Sequence, residues 1–290
     1  MEQSITQEAV DLYDRYTHDG LERRDFFRRM TLLAGSAVLA EGWIGAISAS
    51  AAAAAITASD DPRLVIRKGG LIEGNPLQGY VAVRKGAKRP PVVMVIHENR
   101  GLNAHIEDVA RRFALEGFMA VAPDMLTTSG GTPTNEDEAR AAIGKLDLAR
   151  SVALAVDLSS RLKSDPKTGG KVGVVGFCWG GAFVNRLAVA GDGALAAGVS
   201  YYGPAPDPSE AAKVDMPLMI HLASLDTRVA QTAHPWIEGL RKAKKPVTYH
   251  GYDGVNHAFN NDTSAERYNK AAADLAWGRT IGFFRRYLAK

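Results

Sequence analysis

One cysteine, Cys178, stands in a chain of 290 residues. A lone cysteine makes no internal disulfide and no cysteine-rich metal cluster, which excludes disulfide-stapled modules and zinc fingers. An excess of one charge is also missing: 35 basic residues face 32 acidic ones, and the formal net charge is +3. The densest basic runs, Arg23-Arg24 with Arg28-Arg29 and residues 241–245, are short. Nucleic acid is therefore not expected as a partner. No stretch supplies the ~20 apolar, charge-free residues of a stable membrane span. There is no internal repeat, and an alanine run ending at Ala55 is the one low-complexity segment. What is there, 46% apolar and 23% charged residues, suits one large globular domain plus an extension.

The extension, residues 1–58, has two readings. Between Glu22 and Met30 it carries paired arginines and two phenylalanines, followed by apolar residues to Ile47 and an alanine-rich stretch with Ala49-Ser50-Ala51. This order resembles a twin-arginine signal, which delivers folded proteins to the periplasm. Two features oppose it. Glu41 interrupts the apolar run, and the preamble is acidic where a signal is basic. Ile5, Ala9, Leu12, Tyr13 and Tyr16 also recur at helical spacing. The alternative is a helical arm, retained in a cytoplasmic protein and packed on the domain or on a second subunit, which leaves room for a homo-oligomer.

From residue 59 to 290 strands and helices alternate. Val92 to Ile96 is an unbroken β-branched run, the mark of a strand covered on both faces. Further strands are expected at Phe118–Ala122, Lys171–Val175, Leu195–Tyr202, Pro217–Leu222 and Val247–Tyr249. Helices are expected at Ala104–Glu116, within Asn135–Lys163, at Trp179–Ala190 and Pro235–Ala243, and over Ala265–Leu288. Such alternation predicts an α/β domain, a mainly parallel sheet with helices on both faces. Ligands in these sheets bind beyond the carboxyl ends of the strands, so residues just after strands carry the interest.

Gly176-Phe177-Cys178-Trp179-Gly180-Gly181 lies between a strand and a helix and fits the Gly-x-nucleophile-x-Gly elbow, with Cys in place of the commoner Ser. The glycines are needed where a sharp turn brings strand and helix together. The helix N-terminus favours thiolate, and the N–H of Trp179 is available to hold an oxyanion. Two further candidates follow strands: Asp226, after Pro217–Leu222, and His257, after Val247–Tyr249. Nucleophile, acid and base occur in the chain order of an α/β-hydrolase fold. Cys178, His257 and Asp226 are the expected catalytic triad: His257 exchanges the proton, and Asp226 orients the imidazole.

His97-Glu98-Asn99-Arg100-Gly101 follows the strand Val92–Ile96, where such a fold supplies its second oxyanion donor, here the N–H of Asn99. A glutamate at this strand end needs a partner to be buried. Together, His-Glu-Asn-Arg-Gly-Leu-Asn, Gly-Phe-Cys-Trp-Gly-Gly, Tyr201-Tyr202-Gly203, the Asp226 loop and Gly-x-x-His-x-Phe resemble the dienelactone hydrolase (carboxymethylenebutenolidase) family over roughly residues 75–290. The resemblance implies an ester or lactone hydrolase working through a cysteine acyl-enzyme on a small-molecule substrate. It also implies that Glu98 holds the resting cysteine and helps to generate thiolate. At the two positions where the type member binds a substrate carboxylate with arginine, this chain has no arginine after Pro123 and has Asn261. That points to a broader ester or lactone specificity, with Arg100, Tyr201 and Arg228 as candidate substrate contacts. Attack on an activated phosphoester and a non-catalytic binding protein of the same fold are the alternatives. No cofactor and no metal are expected, since no ligand cluster has a recognisable spacing.

Overall fold

The computed structural model describes residues 4–48, 55–191 and 193–289. The tripeptide Ala49-Ser50-Ala51 of the signal-like stretch lies outside them.

The extension forms three helices, α1 (Gln7–His18), α2 (Arg23–Ala34) and α3 (Ala37–Ile47). Thr6 caps α1 by accepting from the N–H of Ala9, Gly35 ends α2 at a φ of 78°, and Ser36 caps α3 through the N–H of Leu39. The predicted periodicity appears as a small separate core in which Ala9, Leu12 and Tyr13 meet Phe26, Met30, Trp43 and Ile47. Phe26 stacks on Tyr16 with ring centroids 4.2 Å apart. The apolar run is bent, with α2 and α3 meeting at 106°, and no single helix among the described residues is long and apolar enough to cross a membrane.

The remainder is an eight-stranded sheet in the order β1-β2-β4-β3-β5-β6-β7-β8. Strands β3 (Val92–Ile96), β4 (Met119–Pro123), β5 (Val172–Phe177), β6 (Leu195–Tyr201), β7 (Leu218–Ala223) and β8 (Val247–Tyr252) run parallel. At one edge β1 (Leu64–Gly70) and β2 (Gln78–Arg84), which periodicity does not single out, pair antiparallel. Every residue of β3 is buried, and its side chains alternate between two cores. Val93 and Val95 join Phe113 of α4 (Ala104–Leu115) and Phe284 of α9 (Lys270–Leu288) on one face. Val92, Met94 and Ile96 join the other, under α6 (Leu148–Ser164), α7 (Trp179–Ala190) and α8 (Thr227–Lys242), where Trp236 is fully buried. A fully buried side chain of this kind contributes about 1.5–3 kcal/mol over its exposed state.

Three helices differ from expectation, of which α9 simply starts later, at Lys270 instead of Ala265. The span Asn135–Lys163 is interrupted: Asn135 caps α5 (Glu136–Gly144), and Asp147 starts α6 afresh by accepting from the N–H of Arg150. Helix α8 begins well before Pro235, which sits inside it, because Asp226 accepts the N–H of Val229 and acts as its N-cap.

The arm docks across the carboxyl end of the sheet. Ser264 Oγ and Arg267 Nε donate to the carbonyl of Ile47 at 2.6 and 3.0 Å, and Arg23 pairs with Asp137 at 2.8 Å. Since the arm has its own core, Phe26→Ala should lower its packing energy by about 3–5 kcal/mol. The expected outcome in limited proteolysis is early cleavage within residues 4–48, while the sheet domain stays intact.

Candidate active site

Strand β5 ends under the site and α7 begins above it, and Cys178 makes the turn with φ of 54° and ψ of −112°. A side chain held at positive φ is strained, and the surroundings enforce it. A Cβ at Gly176 would strike the carbonyl of Gly180, and one at Gly180 would lie 2.5 Å from the carbonyl oxygen of Ile96. With glycine at both places α7 can start directly over β3 and β5. The Cys178 side chain thus stands at the helix N-terminus, next to the N–H of Trp179, which has no acceptor within the helix.

Asp226 and His257 converge from the neighbouring strand ends. Their Oδ2 and Nδ1 atoms lie 2.5 Å apart, with His257 2% and Asp226 7% exposed. Burial alone would push the imidazole pKa down. The negative charge of Asp226, joined by that of Cys178 when it is a thiolate, outweighs it and raises the pKa to about 10. Burial likewise opposes charge on Asp226, but His257 and then Arg228 hold its carboxyl below the usual range.

The partner of the thiol comes from the arm. His18, the last residue of α1, places Nε2 3.0 Å from Cys178 Sγ across 160 residues of sequence. Its Nδ1 faces the carbonyl of Asp14 and the Thr17 hydroxyl, each at 2.8 Å. The carbonyl can only accept, so in neutral His18 the proton sits on Nδ1 and Nε2 receives the thiol proton. Burial, followed by the positive charges of His257 and Arg228, lowers the His18 pKa well below its ordinary value. His257 Nε2 is buried and has no hydrogen-bond partner.

Glu98 does not hold the cysteine. Its Oε2 accepts from Asn261 Nδ2 at 2.9 Å, and its Oε1 lies 3.5 Å from the Tyr202 hydroxyl. The asparagine that stands where the type member has arginine thus supplies the partner that Glu98 requires. Asn99 is at the rim, but its side chain is turned to the arm and donates to the carbonyl of Thr17 at 3.0 Å. Arg100 is held by the Tyr13 hydroxyl at 2.5 Å and by Glu136 at 3.0 Å. Arg228 Nε lies 4.0 Å from Asp19 Oδ1. Tyr201 is not a substrate contact: as the last residue of β6 it is fully buried, with its hydroxyl on Thr280 at 2.7 Å. Its neighbour Tyr202 takes the place at the site, with φ of 37° and its ring 4.9 Å from that of His257.

His18, Asp14, Tyr202 and Arg267 are the residues that sequence reasoning missed. Arg267 Nη1 pairs with Asp14 Oδ1 at 3.2 Å beneath α1. Asp14 and His18 are four apart on one helix, a spacing that signals a shared face but not what the face covers. The cavity left between α1 and Cys178 is only about 20 Å³, enough for a water molecule and no more. A larger cavity, about 840 Å³, lies elsewhere, against Val83, Val121 and Arg161, and none of Cys178, Asp226 and His257 lines it.

Comparison with known proteins follows the same outline. The model of the dienelactone hydrolase family matches residues 77–288. The chain belongs to the dienelactone hydrolase family. A second model, described as YqhI-like, matches residues 1–34, so the arm has a likeness of its own. Protein usf of Aquifex pyrophilus is 34% identical over 236 residues, spanning 74% of this chain and 95% of that one. A dienelactone hydrolase from Anabaena variabilis superposes with a TM-score of 0.60 at 21% identity, covering 78% of this chain and 99% of that one. A dienelactone hydrolase-like promiscuous phosphotriesterase, P91, from metagenomic libraries superposes at 0.66 with 23% identity, covering 78% and 100%. These likenesses establish a hydrolase family and an α/β-hydrolase sheet with helices on both faces.

The His257–Asp226 pair gives this dienelactone hydrolase family member a testable pH signature. A pKa raised to about 10 means that the folded state holds a proton which the unfolded state has lost. The stabilisation is fully present below about 6.5 and declines as pH rises towards about 10. Denaturant midpoints should fall across that window, and the fall should be shallower in His257→Gln.

Proposed function

We propose that the chain hydrolyses a small ester or lactone through a cysteine acyl-enzyme. The observation that carries this reading is the strained Cys178 turn at the start of α7, facing a buried imidazole already bonded to a carboxylate. Once α1 has withdrawn, His257 takes the Cys178 thiol proton, the resulting thiolate attacks the carbonyl carbon, and the oxyanion is held by the N–H groups of Asn99 and Trp179. As the C–O bond breaks, protonated His257 delivers its proton to the leaving alkoxide. Water then attacks the thioester, His257 takes the water proton, and the acid leaves as the thiol is restored. Asp226 keeps the imidazole oriented throughout. Positioning of Asn261 and Tyr202 by Glu98 lies just beside this path.

A cavity of about 20 Å³ holds no ester, so α1 must withdraw before substrate enters. Breaking the His18 contact, a hydrogen bond of about 1 kcal/mol, should raise the open fraction about fivefold. With p-nitrophenyl acetate we expect an acetyl adduct of Cys178 in intact mass, turnover abolished in Cys178→Ala, and kcat/KM raised severalfold in His18→Ala. Turnover that survives Cys178→Ala would remove the nucleophile assignment. Because a structural neighbour is a promiscuous phosphotriesterase, an activated phosphotriester belongs in the same assay as the competing substrate class.

The polar contacts between α1 and the site support an arm that is retained, in preference to an export signal that is removed. Peptide mapping of the protein from its host should recover residues 7–47. A mature chain beginning within residues 49–58 would restore the export reading and periplasmic location.

A further inference from the structure

Hydrolysis needs one imidazole at the thiol, and the structure places two there. Nε2 of His18, Nε2 of His257 and Sγ of Cys178 all lie within 4.8 Å of one another. His18 Nε2 holds the thiol at 3.0 Å, and His257 Nε2 is buried without a hydrogen-bond partner. The outer contacts of both rings are those of ligands. His257 Nδ1 faces the Asp226 carboxylate at 2.5 Å, and His18 Nδ1 faces the Asp14 carbonyl at 2.8 Å. Each contact fixes the tautomer that turns Nε2 inward, the arrangement by which metal-binding histidines are oriented.

We propose that His18, Cys178 and His257 form a binding site for a soft divalent cation of the zinc class, assembled only when α1 lies on the catalytic domain. One thiolate and two imidazoles select such an ion over magnesium or calcium. Zn–S and Zn–N lengths of about 2.3 and 2.0–2.1 Å imply donor separations of about 3.5 Å. The three atoms therefore need to draw together or apart by only about 1 Å from their present places. The thiolate and Asp226 supply negative charge against the ion, and the small cavity beside Sγ has room for a water as fourth ligand. The ion would tie the end of α1 to the nucleophile and so hold the site shut. The site stands on geometry alone and does not depend on the hydrolytic reading.

The test uses the full chain, reduced and stripped with a chelator, titrated with cobalt(II) and then with zinc(II). The expected result is one equivalent of cobalt giving the visible absorption of a tetrahedral site and a sulfur-to-metal charge-transfer band, both abolished by zinc. Cys178→Ser should lose the charge-transfer band. Loss of an oriented outer partner typically costs 10–100-fold in affinity, so Asp226→Asn should weaken zinc binding by that much, and His18→Ala, which removes a ligand, by at least about 100-fold. Circular dichroism establishes that each variant is folded, and if His18→Ala is not, the unsubstituted chain and Asp226→Asn decide. Absence of the tetrahedral spectrum in the unsubstituted chain, or zinc affinity unchanged in His18→Ala, overturns the proposal.

Discussion

The conformation of Cys178 is the constraint around which the rest is arranged. A positive φ in a residue with a side chain persists only where its surroundings leave no alternative, and here backbone crowds it from both sides. The close packing of Gly176 against Gly180, and of Gly180 against the end of β3, lets α7 rise directly over the centre of the sheet. That places the sulfur above the parallel strands, at the level where the loops after β7 and β8 deliver Asp226 and His257. The cap of α8 and the orientation of the imidazole are then supplied by one carboxylate, whose Oδ1 accepts the N–H of Val229 and whose Oδ2 faces His257. Helix start and the orientation of His257 cannot be altered separately at Asp226.

The parts legible in the sequence are those with local physical causes. Continuous β-branched runs marked β3 and the other buried strands, because a strand covered on both faces has no polar side. The elbow, Asp226 and His257 were readable because each follows such a strand. β1 is less legible because it is an edge strand of mixed exposure ending in Gly69 and Gly70, and β2, the strand beside it, is short and opens on Gln78 and Gly79. Tyr201 and Tyr202 show how narrow the margin is. Consecutive residues at a strand end face opposite ways, so the first enters the core beside Thr280 and the second meets His257.

What the sequence concealed is long-range. The spacing of Ala9, Leu12, Tyr13 and Tyr16 predicted a helix but not its destination. The polar face of that helix, through Tyr13, Asp14, Thr17 and His18, meets Arg100, Arg267, Asn99 and Cys178 in turn. None of these pairs has a spacing that propensity or motif would reveal. They form because the arm has a core of its own that fixes α1 against α2 and α3, so its outer face docks as one body.

Because α1 belongs to the same chain as Cys178, it occupies the site without a bimolecular encounter. A tethered group of this kind acts at an effective concentration on the order of millimolar. Anything that enters the site therefore meets a competitor that cannot be diluted away. Access to Cys178 is set as much by what can displace a helix as by what can fit beside a thiol.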